Sequence, residues 1–84
     1  MIVRVENISV DEEIKTVTDN DLLVTVDVIM NIEYTVTLDN GYAESIILHG
    51  DIKRHREYVE KRTVSQIEKD IKKNIIHLFD ETRR

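Results

Sequence analysis

The chain has 84 residues, of which 35% are charged, a formal net charge of −5 and no Cys. This length allows one domain with a limited core, and the lack of Cys excludes disulfides and thiolate metal sites. No apolar run approaches the roughly 20 residues of a membrane span, and Met1 to Val5 is too short for a signal peptide. We expect a single domain over residues 1–84, cytoplasmic, with no membrane contact and no cofactor.

The charge is divided unevenly along the chain. Residues 1–40 hold nine acids against two bases, a net charge of −7, and residues 41–84 hold eight acids against ten bases, a net charge of +2. Ordinary solvation is the simplest interpretation. The alternative is an acidic sheet surface that attracts a basic partner, since such fields steer association.

The first twenty residues predict two short strands separated by an acidic break. Apolar residues favour a strand over 1–6 and a weaker one over 13–18, and Asp11 to Glu13 lies between them. A short helical turn around residues 11–15 is the alternative. Asp19-Asn20-Asp21 predicts a turn, because Asn and Asp bond their own backbone and tolerate left-handed dihedrals.

Residues 22–38 predict one long strand. Every even position is apolar and most odd positions are polar, which is typical of a strand with one face in a core. Seventeen residues span roughly 56 Å, whereas a compact chain of this length has a diameter of roughly 30 Å. Either the strand bends, with Val28 to Asn31 as the expected place, or it projects and pairs with something else.

Asp39-Asn40-Gly41 predicts a three-residue hairpin loop with Gly41 in the left-handed region. An Asn40-Gly41 two-residue turn, which slips the register by one, is the alternative. The three-residue loop aligns these pairs: Leu38 with Tyr42, Tyr34 with Ile46, and Ile32 with Leu48.

Residues 52–62 are ambiguous. A further exposed strand over about 54–61 is the favoured interpretation. The alternative is a helix capped by Asp51 and supported by Lys53–Glu57 and Glu57–Lys61 pairs.

The last element is an amphipathic helix over about 64–81. Two overlapping capping boxes mark its start, Thr63 with Gln66 and Ser65 with Glu68. Asn74 interrupts a heptad seam, so we expect the helix to pack on the sheet. Its apolar stripe consists of Val64, Ile67, Ile71, Ile75 and Leu78, with Phe79 beside it. Together the elements predict an α+β fold: an antiparallel meander of three to five strands with this helix on its apolar face.

No residue pattern indicates catalysis or metal binding. A zinc site needs three or four converging ligands, and His49, His55 and His77 show no such spacing. We therefore expect a non-enzyme.

Two surfaces are candidates for binding. Leu23 and Ile29 lie on the polar face of the long strand, with Ile47 expected beside them, and would leave apolar surface on a small protein. The second surface is basic and aromatic, which suits nucleic acid. It comprises Lys53, Arg54, Arg56, Tyr58, Lys61 and Arg62.

Acidic residues within the basic segment, together with the acidic balance of the whole chain, make nucleic acid the less favoured partner. An edge strand protected by charge explains the same residues. The sequence favours a small accessory or inhibitory protein-interaction module that forms a homo-oligomer, most simply a dimer. The alternatives are nucleic-acid binding through residues 53–62, and an acidic inhibitor that imitates phosphates for a nucleic-acid-binding target.

Overall fold

The structure, a computed structural model, describes residues 1–82. Three antiparallel strands form one sheet in the order β1-β2-β3, and two helices follow. The predicted α+β fold with its C-terminal helix is confirmed. The elements are β1 (Ile2–Val17), β2 (Leu23–Asp39), β3 (Ser45–His55), α1 (Arg56–Glu60) and α2 (Val64–Thr82).

β1 is one strand of 16 residues, so the predicted break into two strands is wrong, and so is the helical turn around 11–15. The acidic segment pairs with β2 through a bulge: Val10 lies opposite Met30 and Glu12 opposite Ile29, which leaves Asp11 as the extra residue. A second bulge adds Glu6 in the same strand. Bulges accommodate additional residues without ending a ladder, and so the acids interrupt the register but not the strand.

β2 projects rather than bends. The molecule measures 64 × 29 × 19 Å with a radius of gyration of 17.2 Å, whereas a compact chain of 84 residues has about 12 Å. Val28 to Asn31 pair in succession with β1, and Ile29 to Asn31 pair also with β3, so β2 carries no bulge of its own there and the expected bend is wrong. The irregularity in β2 lies instead at Val26, where Ile14 pairs with Asp27 and the next residue of β1 pairs with Thr25.

The β2–β3 loop is longer than predicted. Gly41 has the expected positive φ of 80°, but Ala43 also has a positive φ of 61°, and the amide of Asn40 bonds the carbonyl of Glu44 at 3.4 Å. The side chains of Asp39 and Asn40 also accept hydrogen bonds within this loop. The register therefore differs by four residues from the prediction: Leu38 lies opposite Ile46, Tyr34 opposite Gly50, and Ile32 opposite Ile52.

The predicted strand over 54–61 is also wrong, since β3 ends at His55 and α1 follows at once. The helix capped by Asp51 is not observed either, because Asp51 lies inside β3. Tyr58 and Val59 of α1 pack against the core, so burial of these two side chains favours a helical turn over a strand that would point alternate residues to solvent.

The core lies between α2 and one face of the sheet, as the periodicity predicts. The first capping box is confirmed: the amide of Gln66 donates to Thr63 Oγ1 at 3.2 Å, and the amide of Thr63 donates to Gln66 Oε1 at 2.8 Å. Glu68 reaches the sheet, where its Oε2 accepts a hydrogen bond of 2.8 Å from the amide of Val5. The buried apolar residues are Val3, Val28, Ile32, Val36, Ile67 and Ile71, of which Ile32, Ile67 and Ile71 are fully buried.

Candidate interaction surfaces

The free half of the β1–β2 hairpin is the first candidate surface; we call residues 9–27 the ribbon. β3 pairs with β2 only from Ile29 to Asp39. The ribbon therefore has no third strand from Glu13 to Asp27, whereas its first residues, up to Glu12, pair with the three-stranded part of the sheet. A two-stranded ribbon buries few side chains, because it has no layer packed on either face. Its apolar residues are accordingly exposed to between 38% and 64%: Val10, Ile14, Val17, Leu22, Leu23, Val24 and Val26.

The exposed area is large for the mass of the chain. The surface amounts to 6671 Å², whereas a compact monomer of 9.9 kDa exposes about 5,200 Å². The excess of about 1,500 Å² exceeds the roughly 800 Å² that each partner buries in a standard protein interface. The protein therefore carries enough additional surface for one full interface.

The ribbon also carries the charge of the molecule. It holds six carboxylates against Lys15, a net charge of −5 that equals the net charge of the whole chain. The carboxylates belong to Asp11, Glu12, Glu13, Asp19, Asp21 and Asp27. A bulge at Asp11 further interrupts the outer edge of β1. Acidic side chains and bulges both oppose the pairing of one edge strand with another.

The structure separates the three residues of the predicted apolar surface. Ile29 lies in the middle of β2, and Ile47 lies opposite Thr37, eight residues or about 26 Å further along β2. Leu23 lies opposite Val17 near the ribbon tip. The bulge at Val26 shifts the alternation by one, so Leu23 falls on the face of Val28 rather than on that of Ile29. Leu23 and Ile47 are 64% and 58% exposed, and Ile29 is half-buried.

A second apolar surface lies at the other end of the molecule. Here the C-terminal half of α2 and the ends of β2 and β3 enclose a cavity of about 180 Å³, which we call the end groove. Ile46, beside it on β3, is 61% exposed, and Phe79 of α2 is 50% exposed. The groove is lined by Tyr34, Val36, Leu38, Leu48, His49, Ile75 and Phe79.

Four of the five cations of the basic segment are paired with carboxylates, and the pair of Arg62 with Asp70 belongs to the cluster around Tyr58. Lys53 Nζ lies 2.8 Å from Asp11 Oδ1, and this hydrogen bond raises the pKa of Lys53. Lys61 Nζ lies 2.5 Å from Glu57 Oε1. Arg56 Nε lies 4.0 Å from Glu60 Oε1. Each pair lowers the positive charge available to a phosphate.

The remaining residues of the segment surround Tyr58. The guanidinium of Arg62 lies 3.8 Å from the centre of the Tyr58 ring and that of Arg54 lies 5.6 Å from it. Asp70 joins the cluster, since its Oδ2 accepts hydrogen bonds from the Tyr58 hydroxyl at 2.9 Å and from Arg62 Nε at 3.1 Å. Burial and the bond to Asp70 raise the pKa of Tyr58. The ring that could stack on a base is thus engaged by cations and fixes α1 to α2.

The histidines are dispersed. His55 Nδ1 lies 2.6 Å from Asp27 Oδ2. The amide of Val28, which donates to Asp27 at 2.7 Å, and the His55 ring both lower the pKa of that carboxyl. His49 lies beside a depression of about 430 Å³ that also contains the carboxylates of Glu6, Glu33 and Asp51. No group of three or more potential metal ligands converges anywhere in residues 1–82.

Sequence reasoning offered a projecting long strand with Leu23 on its surface, but it missed the exposure of the other apolar residues of the ribbon and the end groove. Val24, Val26, Leu38 and Leu48 all obey the alternation that predicted a buried face, yet Val26 is 60% and Leu48 47% exposed. Alternation identifies which face is apolar and does not tell how far along that face the helix reaches. The mismatch between the length of the strand and the size of the domain was the signal that indicated the projection.

No protein-family model, curated protein or solved structure matches this chain significantly. In the described part of the chain, the helices are too short or too polar to cross a membrane.

Proposed function

We propose that this protein is a non-catalytic interaction module that associates with itself. The observation that carries the proposal is the ribbon, which extends past the third strand and both helices while exposing seven large apolar side chains. These side chains lie on both faces of the ribbon, and clusters of exposed apolar residues mark protein–protein interaction sites. A second subunit would cover this surface and add the apolar burial that an 84-residue core lacks.

Light scattering coupled to size exclusion tests self-association. We expect a mass of twice 9.9 kDa that falls on dilution through the micromolar range. Val26→Asp should shift the equilibrium towards monomer, because it places an unpaired charge in a desolvated contact. Thr16→Asp, on the other strand of the ribbon, adds the same charge without removing an apolar side chain and is the matched control. A constant mass of 9.9 kDa at every concentration would contradict the proposal.

Charge supports a second candidate, an acidic inhibitor that imitates phosphates. The ribbon carries six carboxylates in nineteen residues and projects from the domain, so it offers a narrow negative element to a basic cleft. Capture from a host lysate, with and without nuclease, distinguishes this function. A nucleic-acid-binding protein that is still captured after nuclease treatment would support this function. The absence of any such protein would contradict it.

A further inference from the structure

We infer that the partner of the ribbon is the end groove of a second copy of this chain, in a closed twofold dimer whose protomers run antiparallel. The inference rests on the proposed self-association and specifies its geometry. The tip of each ribbon, with Leu22 and Leu23, occupies the groove beside Leu48 and Phe79 of the other protomer.

The size of the end groove matches one apolar side chain. An apolar cavity of about 150 Å³ accommodates a molecule as large as benzene, and the groove measures about 180 Å³. Pockets for small-molecule ligands are larger, at roughly 300–1,000 Å³. The tip supplies two suitable side chains, since Leu22 is 61% and Leu23 is 64% exposed.

The positions of the two surfaces match as well. Leu23 and Leu38 lie near opposite ends of β2, and the fifteen residue steps from one to the other span about 50 Å. A twofold axis perpendicular to the long dimension of 64 Å brings the ribbon tip of each protomer to the end groove of the other protomer. Both contacts then form at once, which closes the assembly at two copies.

Charge opposes the other simple arrangement, in which two ribbons pair with each other. Each ribbon has a net charge of −5, whereas the remaining residues sum to zero. Ribbon-to-ribbon pairing would bring a net charge of −10 together, and like charges directly opposite destabilise a sheet. The antiparallel arrangement instead lays each ribbon along a body that presents Lys69 and Lys72, which flank β1 at the surface of α2.

The sign of the salt dependence distinguishes these arrangements. Attraction between the carboxylates of the ribbon and Lys69 and Lys72 of the other protomer predicts that the dimer dissociation constant rises between low and physiological salt, because ions screen opposite charges. Repulsion between ribbons predicts the opposite sign. A dissociation constant that falls with salt would therefore contradict the inference.

Distance measurement between spin labels is the decisive test. The chain has no Cys, so Asn20→Cys labels only the turn and Ser45→Cys labels only the start of β3. In the antiparallel dimer the two Asn20 labels lie about 50 Å apart, and so do the two Ser45 labels. Mixing the two variants gives mixed dimers with one label of each kind. In these dimers the distance between the Asn20 label and the Ser45 label is short, because the ribbon tip of one protomer lies at the end groove of the other.

The possible results distinguish failure of the antiparallel geometry from failure of self-association. A short distance between two Asn20 labels would show that the tips are adjacent and would overturn the inference, although self-association itself would stand. A mass that grows without limit on concentration would indicate an open head-to-tail chain and would also overturn it. A monomer at all concentrations would remove the proposed self-association together with this geometry.

A substitution at the tip completes the test. Leu23→Ala should raise the dimer dissociation constant about tenfold or more, because it removes an anchor from a pocket. Asn20→Ala should leave that constant unchanged. Equal effects of the two substitutions would show that the tip does not occupy an apolar groove.

Discussion

The ring of Tyr34 lies across Gly50, its partner on the neighbouring strand. A Cβ at Gly50 would come within 2.6 Å of Tyr34 Cζ and of its hydroxyl oxygen. Tyr34 also packs against the core cluster, so the ring covers the gap left by the missing side chain and links β3 to the core.

We expect Gly50→Ala to lower the free energy of unfolding by about 1–2 kcal/mol, since overpacking forces the Tyr34 ring out of position. Denaturant titration measures the loss. In a Tyr34→Ala background the same substitution should cost little or stabilise the strand, because the obstructing ring is gone. Additive effects of the two substitutions would show that the ring and Gly50 are energetically independent.

The bond between Glu68 and the Val5 amide carries the second prediction. The amide lies on the outer edge of β1, and the carboxylate of α2 satisfies it. Glu68→Ala should cost about 1–3 kcal/mol, because a part-buried donor loses its partner. Glu68→Gln retains an acceptor oxygen and should cost less. Equal losses for the two variants would show that packing, and not the hydrogen bond, fixes α2 to β1.

The loop between β2 and β3 carries the third prediction. Gly41 has a φ of 80° and open space at its Cβ position. The effect of a substitution there is therefore decided by backbone strain and not by a steric clash of the new side chain. Gly41→Val should cost about 1–2 kcal/mol, and Gly41→Asn less, because Asn tolerates the left-handed region. Chemical denaturation compares the two, and an unchanged midpoint for Gly41→Val would contradict the strain argument.

Much of the fold follows from the sequence, because its signals are local. The capping box at Thr63, the apolar stripe of α2 and the left-handed Gly41 each depend on residues a few positions apart. The hairpin register was missed because Gly41 fits several loop lengths, and the second positive φ falls on Ala43, which has no preference for it. The continuity of β1 was missed because bulges at Glu6 and Asp11 have no signature in a single sequence.

The candidate surfaces were harder to predict, because they depend on where the layers stop. Val26 and Ile32 look alike in the alternation of β2, yet Ile32 is 0% and Val26 60% exposed. The difference arises because α1 and β3 cover β2 only up to the region of Val28 and Ile29. The residues of the basic segment are close together in the sequence, but their pairing with Asp11 and Asp70 joins elements distant in the chain.

Tyr58 gives a prediction for alkaline pH. Its pKa lies above the ordinary value of 10.0, first because of burial and second because its hydroxyl donates to Asp70. The folded state therefore favours the neutral phenol. This contribution to stability is complete below the ordinary pKa and is lost as the pH rises through the folded pKa.

We expect Tyr58→Phe to weaken the alkaline loss of stability, which denaturation midpoints on both sides of about pH 10 would reveal. Tyr42→Phe is the matched control, since Tyr42 is 82% exposed. The same pH dependence in the wild-type protein and in Tyr58→Phe would contradict the assignment.

The last prediction concerns nucleic acid. Lys53, Lys61 and Arg62 are held by carboxylates at 2.5–3.1 Å, so a phosphate must displace those partners before it gains a contact. We expect no measurable binding of duplex or single strands at about 150 mM salt, where counterion release contributes less than in dilute buffer. Fluorescence anisotropy with labelled oligonucleotides measures this directly. Micromolar binding that weakens with salt, and whose salt dependence falls when Arg54→Ala and Arg56→Ala are combined, would contradict the prediction and place nucleic acid on residues 53–62.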